Sequence, residues 1–339
     1  MDICRLYKAE LKELFKERGE PSFRADQLFE WLHRKRVSDF ERMTNLPAST
    51  RVWLASEYSI PSAECVRRQV SSDGTEKYLF SFSDGNCVET VAMRYEHGLS
   101  VCVSTQVGCR MGCRFCASTQ NGLVRSLTAG EMLAEVYKAC ELFGEPVDSV
   151  VLMGIGEPLD NFDEVIRFYD ILTDSSGYNL KNRSVTLSTC GLVPEILRLA
   201  ALKKQLTLSI SLHAAFPEKR SSIMPVNLRY PLDELIDTCR QYVALTGRRV
   251  SFEYTVIHGF NDSEEDADRL TQLVRGFQSH VNIIPVNDAG RGISQATRKQ
   301  AESFADKLTA RGVNATVRRT LGNDISAACG QLRRDTVAN

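Results

Sequence analysis

From Leu99 to Arg319 the sequence alternates short apolar runs with longer amphipathic ones, and this alternation narrows the folds open to it. Strands are expected at Leu99–Thr105, Ser149–Met153, Ser184–Leu187, Leu206–Leu212, Val250–Ile257, Val281–Pro285 and Ala315–Arg319, with helical periodicity between them. Thr128 and Glu131 are spaced as a capping box, and Ser263 is a good N-cap for a later helix. Repeated strand–helix units predict parallel strands joined by crossover helices. About six such units exceed a Rossmann half and fall short of an eightfold barrel, so the expected fold class is α/β, a partial (βα)6 barrel.

The residues ahead of this region read differently. Leu6, Leu11, Leu14 and Phe15, then Phe23, Leu28, Phe29, Trp31 and Leu32, have helical spacing, and a third helix is expected over Ala48–Tyr58. Arg24 with His33-Arg34-Lys35-Arg36 forms a basic edge, either a solvated helix face or an RNA contact. From Glu76 the period changes to two, and Lys77–Phe82 and Cys87–Met93 flank Asp84-Gly85 as a hairpin. That hairpin carries Glu89, which the stretch alone places facing solvent. The expected division is an N-terminal helical accessory domain over 1–62, a β-hairpin extension over 63–98, the barrel over 99–322 and a C-terminal segment over 323–339.

Chemistry concentrates in Cys109, Cys113 and Cys116, a C-x3-C-x2-C loop directly after the first barrel strand. Thiolates suit iron–sulfur clusters, zinc and copper(I). A [4Fe-4S] cluster commonly takes four cysteines, and three leave one iron with an open position. Structural zinc is the competing reading, although the five histidines are scattered rather than paired with this loop. Eleven cysteines without a secretory pattern at the N-terminus suggest a reducing cytoplasm, where clustered cysteines bind metal or act in catalysis. No apolar run is long enough to span a membrane, and a net charge of −1 gives no overall pull toward nucleic acid.

Polar residues then recur where the barrel strands end. Gly156-Glu157 follows the second strand, Ser188 closes the third, Ser211-Leu212-His213 the fourth, and Asn287 follows the sixth. Chemistry in such barrels gathers at the carboxyl ends of the strands, so these residues with the cysteine loop read as one ligand pocket.

These motifs resemble the radical S-adenosylmethionine (SAM) superfamily. Val88-Glu89-Thr90-Val91, Cys102, Gly156-Glu157-Pro158, Leu187-Ser188-Thr189, Ile210-Ser211-Leu212-His213 and the tail Asp324-Ile325-Ser326-Ala327-Ala328-Cys329-Gly330-Gln331-Leu332 are similar to the RlmN/Cfr family of RNA adenine methyltransferases within it. Ile284-Pro285-Val286-Asn287 is closer to the RlmN branch. The resemblance implies a [4Fe-4S] cluster on Cys109, Cys113 and Cys116, with SAM chelating the fourth iron. It implies a SAM pocket of Gly156, Glu157, Ser188, Ser211, Leu212, His213 and Asn287. It assigns Cys329 the role of an S-methylcysteine intermediate, Cys102 that of the thiol resolving it through a transient disulfide, and Glu89 that of proton acceptor. The implied reaction is methylation of carbon 2 of an adenosine in 23S rRNA and of an anticodon-loop adenosine in tRNA. An electron donor such as flavodoxin or ferredoxin is an implied partner. Carbon 8 methylation as in Cfr, a radical SAM activase and an iron–sulfur RNA-binding sensor are the alternatives. Cys190 receives no role, and Arg67-Arg68, Arg318-Arg319 and Arg333-Arg334 are further candidate RNA contacts.

Overall fold

Residue alternation along the strands sorts the side chains of one curved sheet onto two chemically different faces. The structure is a computed structural model that describes residues 1–285, 296–319 and 321–327. Three N-terminal helices, α1 (Lys8–Glu17), α2 (Phe23–His33) and α3 (Ala48–Glu57), precede the antiparallel strands β1 (Glu64–Val70), β2 (Glu76–Ser81) and β3 (Cys87–Tyr95). The chain continues into β4 (Gly98–Cys102) and a short ribbon of β5 (Gln106–Gly108) and β6 (Leu123–Ser126). Then follow α4 (Ala129–Phe143), β7 (Val147–Leu152), α5 (Phe162–Thr173), β8 (Val185–Thr189), α6 (Val193–Ala201) and β9 (Thr207–Ser211). The series ends with α7 (Pro217–Ile223), α8 (Leu232–Thr246), β10 (Val250–Val256), α9 (Glu264–Val274), β11 (Ser279–Pro285), α10 (Arg298–Ala310) and β12 (Ala315–Val317).

Ten strands form one sheet in the order β1-β2-β3-β4-β7-β8-β9-β10-β11-β12, and β5 pairs with β6 apart from it. From β4 onward every neighbour is parallel, so the expected six strand–helix units are present and β12 closes the run. Among the described residues the strand order does not close on itself, which makes the barrel partial. The capping box on α4 is formed: Glu131 N–H donates to Thr128 Oγ1 at 3.1 Å and Thr128 N–H to Glu131 Oε2 at 2.9 Å. Ser263 caps α9 in the same way, with Asp266 as its reciprocal partner.

Register separates the faces. Leu187 lies beside Leu208, Ile210 beside Phe252, and Tyr254 beside Ile283, all fully buried in one apolar cluster with Phe168, Leu199, Leu235 and Phe304 of the crossover helices. The opposite, inward face aligns Ser188 with Ser209, Ser209 with Ser251, Ser211 with Glu253 and Glu253 with Asn282. Burying a Leu or Ile there instead would contribute about 2 kcal/mol each. A polar inward wall is therefore retained against stability, as expected where a ligand binds.

Two features depart from the sequence reading. The strand β1 was not expected, because Arg67 and Arg68 interrupt its pattern. It forms an exposed edge on which Arg68 reaches across to Glu76 with two hydrogen bonds of 2.7 Å, and a charged edge discourages further strand addition. The first barrel strand is also shorter than Leu99–Thr105. It breaks after Cys102, and Thr105 N–H turns to donate to Ile155 O at 2.8 Å. The hairpin is continuous with the barrel sheet through β3 and β4.

Beneath β3 and β4, Glu135 of α4 is fully buried; Thr90 Oγ1 and Ser104 N–H donate to its Oε2, while its Oε1 has no hydrogen-bond donor among the described residues. Burial drives its pKa well above the usual 4.5. The native state thus holds a proton that the unfolded chain releases. The resulting stabilisation is complete below about pH 4.5 and is lost as the pH rises toward the native pKa. Glu135→Gln, which mimics the neutral acid, is expected to raise the melting temperature at pH 7.5, with the gain shrinking as the pH falls toward 4.5. Thermal unfolding across that range measures it, and a gain independent of pH would contradict the assignment.

Candidate active site

The cysteine loop is an excursion between β5 and β6. Its base closes where Cys109 N–H donates to Gly122 O at 3.1 Å. Gly108 has φ +78°, and a Cβ there would sit 1.9 Å from Gly122 O, so only glycine permits this closure. At the far end Thr119 Oγ1 donates to the carbonyls of Cys113 and Cys116 at 3.1 and 3.0 Å. Cys109 and Cys113 are buried, Cys116 is half-buried, and all three line one cavity.

Burial pushes the Cys109 thiol up to about 12, and the charges of Glu157 and Cys116 add to the effect. Cys113 is raised by burial and then by Cys116 and Cys109. Deprotonating these buried neighbouring thiols therefore calls for a strongly positive occupant. Among the described residues no three His, Cys, Asp or Glu side chains converge on one metal-ion position. The three thiols line one shared cavity. This donor set fits an iron–sulfur cluster held by three cysteines.

The strand ends supply the rest of the cavity wall. Gly156 has φ +114°, and a Cβ there would lie 2.7 Å from Gln106 Cβ and Thr105 Oγ1, so glycine lets the β7 turn pack against the segment leading to the cysteine loop. Glu157 is buried, with Oε1 accepting from Leu159 N–H at 3.0 Å and Oε2 from Cys190 N–H at 2.8 Å. It therefore ties the turn after β7 to the turn after β8 while facing the cavity, and burial raises its pKa. Ser188, Ser211 and His213 also line this space. His213 has φ +57°, its Nδ1 accepts from Thr255 N–H at 3.0 Å, and burial with Arg220 nearby lowers its pKa to about 3. The neutral ring thus carries its proton on Nε2. Phe115 of the cysteine loop meets this ring edge-on at 4.6 Å, docking the loop on the end of β9. Leu212 is packed in the core, and Asn287 lies outside the described residues.

Sequence reasoning missed two groups, Arg220 behind residues of the cavity wall and Glu253 on that wall. Arg220 of α7 is fully buried and donates to the carbonyls of Leu212, Ser211 and Cys190 and to Asn227 Oδ1, pinning the ends of β8 and β9 together. Nothing in its local sequence marks it. Glu253 lies on the inward face of β10 and lines the cavity, and its signal was a carboxylate within the otherwise uncharged run Val250–Ile257.

Glu89 overturns the solvent-facing reading. It is 2% exposed and pairs with Lys77 Nζ at 2.9 Å. Lys77 and Cys102 both lie opposite Val91, two residues from Glu89, so all three share the inward face. Cys102 is buried and aligned with Val151, two residues before Met153 on the cavity wall. Lys77 Nζ also donates to Ser326 O at 3.3 Å. The segment around Ser326 is anchored further: Asp324 accepts from the side chain of Ser71 and from Ser72 N–H, and Gly322 N–H donates to Asp73 Oδ2 at 2.9 Å. Cys329 lies outside the described residues, as do Arg333 and Arg334.

The expected basic edge is smaller than its sequence. His33 is fully buried with a pKa lowered to about 3, and Arg24 is paired with Glu20, while Arg34 and Arg36 are exposed. Cys190 is buried in the cavity wall, while Cys4, Cys140 and Cys239 pack in the core. No helix among the described residues is long and apolar enough to cross a membrane.

Comparison with known proteins agrees with this geometry. Residues 103–271 match the radical SAM superfamily, and residues 1–60 match the ribosomal RNA large subunit methyltransferase N-terminal domain. A probable dual-specificity RNA methyltransferase RlmN of Clostridium perfringens is 49% identical over 97% of this chain and 95% of its own length. A protein of the same description from Lachnospira eligens is 49% identical over 98% of this chain and 95% of its own. The crystal structure of a radical SAM methyltransferase from Sphaerobacter thermophilus superposes with a TM-score of 0.94 at 45% identity, covering 99% of this chain and 100% of that one. A [4Fe-4S] cluster and SAM are the cofactors of this superfamily, and three thiols lining one cavity are a donor set that fits such a cluster. With both its N-terminal helices and its barrel matched along nearly its full length, the chain belongs to the RlmN family of radical SAM methyltransferases.

Proposed function

We propose that this protein methylates carbon 2 of a specific adenosine in 23S rRNA, and of an anticodon-loop adenosine in tRNA, in the cytoplasm. The observation that carries the reading is the buried group of Glu89, Lys77 and Cys102 on the inward face. Lys77 links it to Ser326, three positions ahead of Cys329 in the tail motif. The dual-specificity description of the relatives supports two classes of RNA substrate.

A ring carbon of adenine is too weak a nucleophile to take a methyl group from a sulfonium directly. When bound, the cluster and SAM supply one-electron chemistry that activates a methyl hydrogen. We assign Cys109, Cys113 and Cys116 to the cluster, and Gly156, Glu157, Ser188, Ser211, Leu212, His213 and Asn287 to SAM. An electron donor such as flavodoxin or ferredoxin is the partner this chemistry needs. Cys329 serves as the nucleophile that carries the methyl carbon to the base, a task suited to a thiol. The base must leave its stack to reach a cavity of this kind.

Glu89 then takes the proton from the substituted ring carbon. A carboxylate this deeply buried needs a paired cation, and Lys77 supplies it at 2.9 Å. Cys102 attacks the sulfur of Cys329, forming a disulfide as the carbon–sulfur bond to the base breaks, and the carbon that keeps the bonding pair takes up a proton to become the methyl group. Its place on β4, two residues of register from Glu89, suits a thiol acting on the same adduct.

Anaerobic reconstitution and turnover with rRNA fragments, followed by nucleoside mass spectrometry, should yield 2-methyladenosine; 8-methyladenosine would overturn the regiochemistry. Cys102→Ala should accumulate a covalent protein–RNA adduct visible on denaturing gels, with normal yields of free methylated RNA counting against the resolving role. Glu89→Gln should lower turnover roughly 10²- to 10⁴-fold while leaving iron content unchanged, the loss typical of removing a general base.

A further inference from the structure

Glu253 stands mid-strand on β10 and is 4% exposed. Its Oε1 accepts from Ser209 Oγ at 2.7 Å and from Asn282 Nδ2 at 2.9 Å. These neighbours belong to the two flanking strands, so they fix the carboxylate from both sides. Its Oε2 is equally buried and has no hydrogen-bond donor among the described residues. The Arg318 guanidinium lies 3.9 Å from it, near enough to offset charge but beyond hydrogen-bonding distance. Glu253 lines the same cavity as the three cluster cysteines. A buried carboxylate oxygen held without a donor is costly, and its persistence calls for one supplied by an occupant.

The surroundings define what kind of donor. Arg318 already brings positive charge, so a neutral hydroxyl suffices where an ammonium would add a second cation. Ser211 and Thr255 line the cavity with Glu253, while Ser209 and Asn282 hold its other oxygen, and hydroxyls on the wall beside a fixed carboxylate suit a sugar. We propose that Glu253 accepts a hydrogen bond through Oε2 from a ribose hydroxyl of the adenosine-bearing ligand that fills this cavity. The inference rests on reading the cavity as the SAM site. Two sources bring a ribose there. SAM offers both of its hydroxyls, whereas an adenosine within RNA offers its 2′-hydroxyl alone.

Holoenzyme and Glu253→Gln, reconstituted anaerobically and matched for iron content and circular dichroism, separate these cases by equilibrium binding. The probes are SAM, 2′-deoxy-SAM, 3′-deoxy-SAM, and RNA fragments with adenosine or 2′-deoxyadenosine at the target. SAM should bind Glu253→Gln about 10- to 100-fold more weakly, the range for a hydrogen bond to a charged group. One deoxy analogue should bind the wild type with a comparable deficit, and the variant should no longer distinguish it from SAM. If that loss of discrimination occurs with the RNA pair instead, the ribose is the target's and the hydrogen bond to Glu253 stands. Equal discrimination by wild type and variant for every pair overturns the proposal. Glu253→Asp, which keeps the charge and withdraws the oxygen by one methylene, provides the same comparison if Glu253→Gln loses iron or fold. Failure of the wild-type holoenzyme to bind SAM at all would instead overturn the reading of the cavity.

Discussion

The parallel register of β7 through β11 is the constraint on which the rest of the molecule depends. Because side chains alternate, one frame sends Leu187, Leu208, Phe252 and Ile283 toward the helices and Ser188, Ser209, Glu253 and Asn282 inward. A slip of one residue would exchange the two sets, placing a carboxylate and several hydroxyls in the apolar layer. The energy of that layer thus enforces the arrangement of the polar one. The site is accurate because it forms the reverse side of the core.

Much of this was visible in the sequence, for reasons that are local. The helix starts at Thr128 and Ser263 are written in side chains three residues apart, and the strand–helix alternation follows from periodicity. The cysteine loop was evident because its three thiols lie within eight consecutive residues, Cys109 to Cys116. What escaped depends on distant partners. Glu89 reads as a surface residue until Lys77, on the other strand of its hairpin, is brought against it. Arg220 resembles any helix-surface cation until the carbonyls after β8 and β9 close around it. The strand β1 was hidden because its charges describe an edge rather than a buried strand.

The cavity is also a meeting place of segments far apart in the chain. The cysteine loop docks through Phe115 on His213, the β7 turn is tied through Glu157 to Cys190, and the residues around Ser326 reach β2 through Lys77. Each tie joins a loop to a strand end or a strand, so loop positions inherit the rigidity of the sheet. That division lets a rigid frame carry groups whose separations matter to chemistry.

Arg220 carries a consequence beyond its structural ties. Its described hydrogen bonds end on neutral oxygens, so among the described residues no carboxylate pairs with it. Buried away from the surface, such a charge is weakly screened and acts at a distance. It already eases ionisation at Cys113 and Cys190 while opposing protonation of His213. The molecule therefore keeps a positive charge behind two of its thiols, which offsets part of what burial costs when negative charge gathers there.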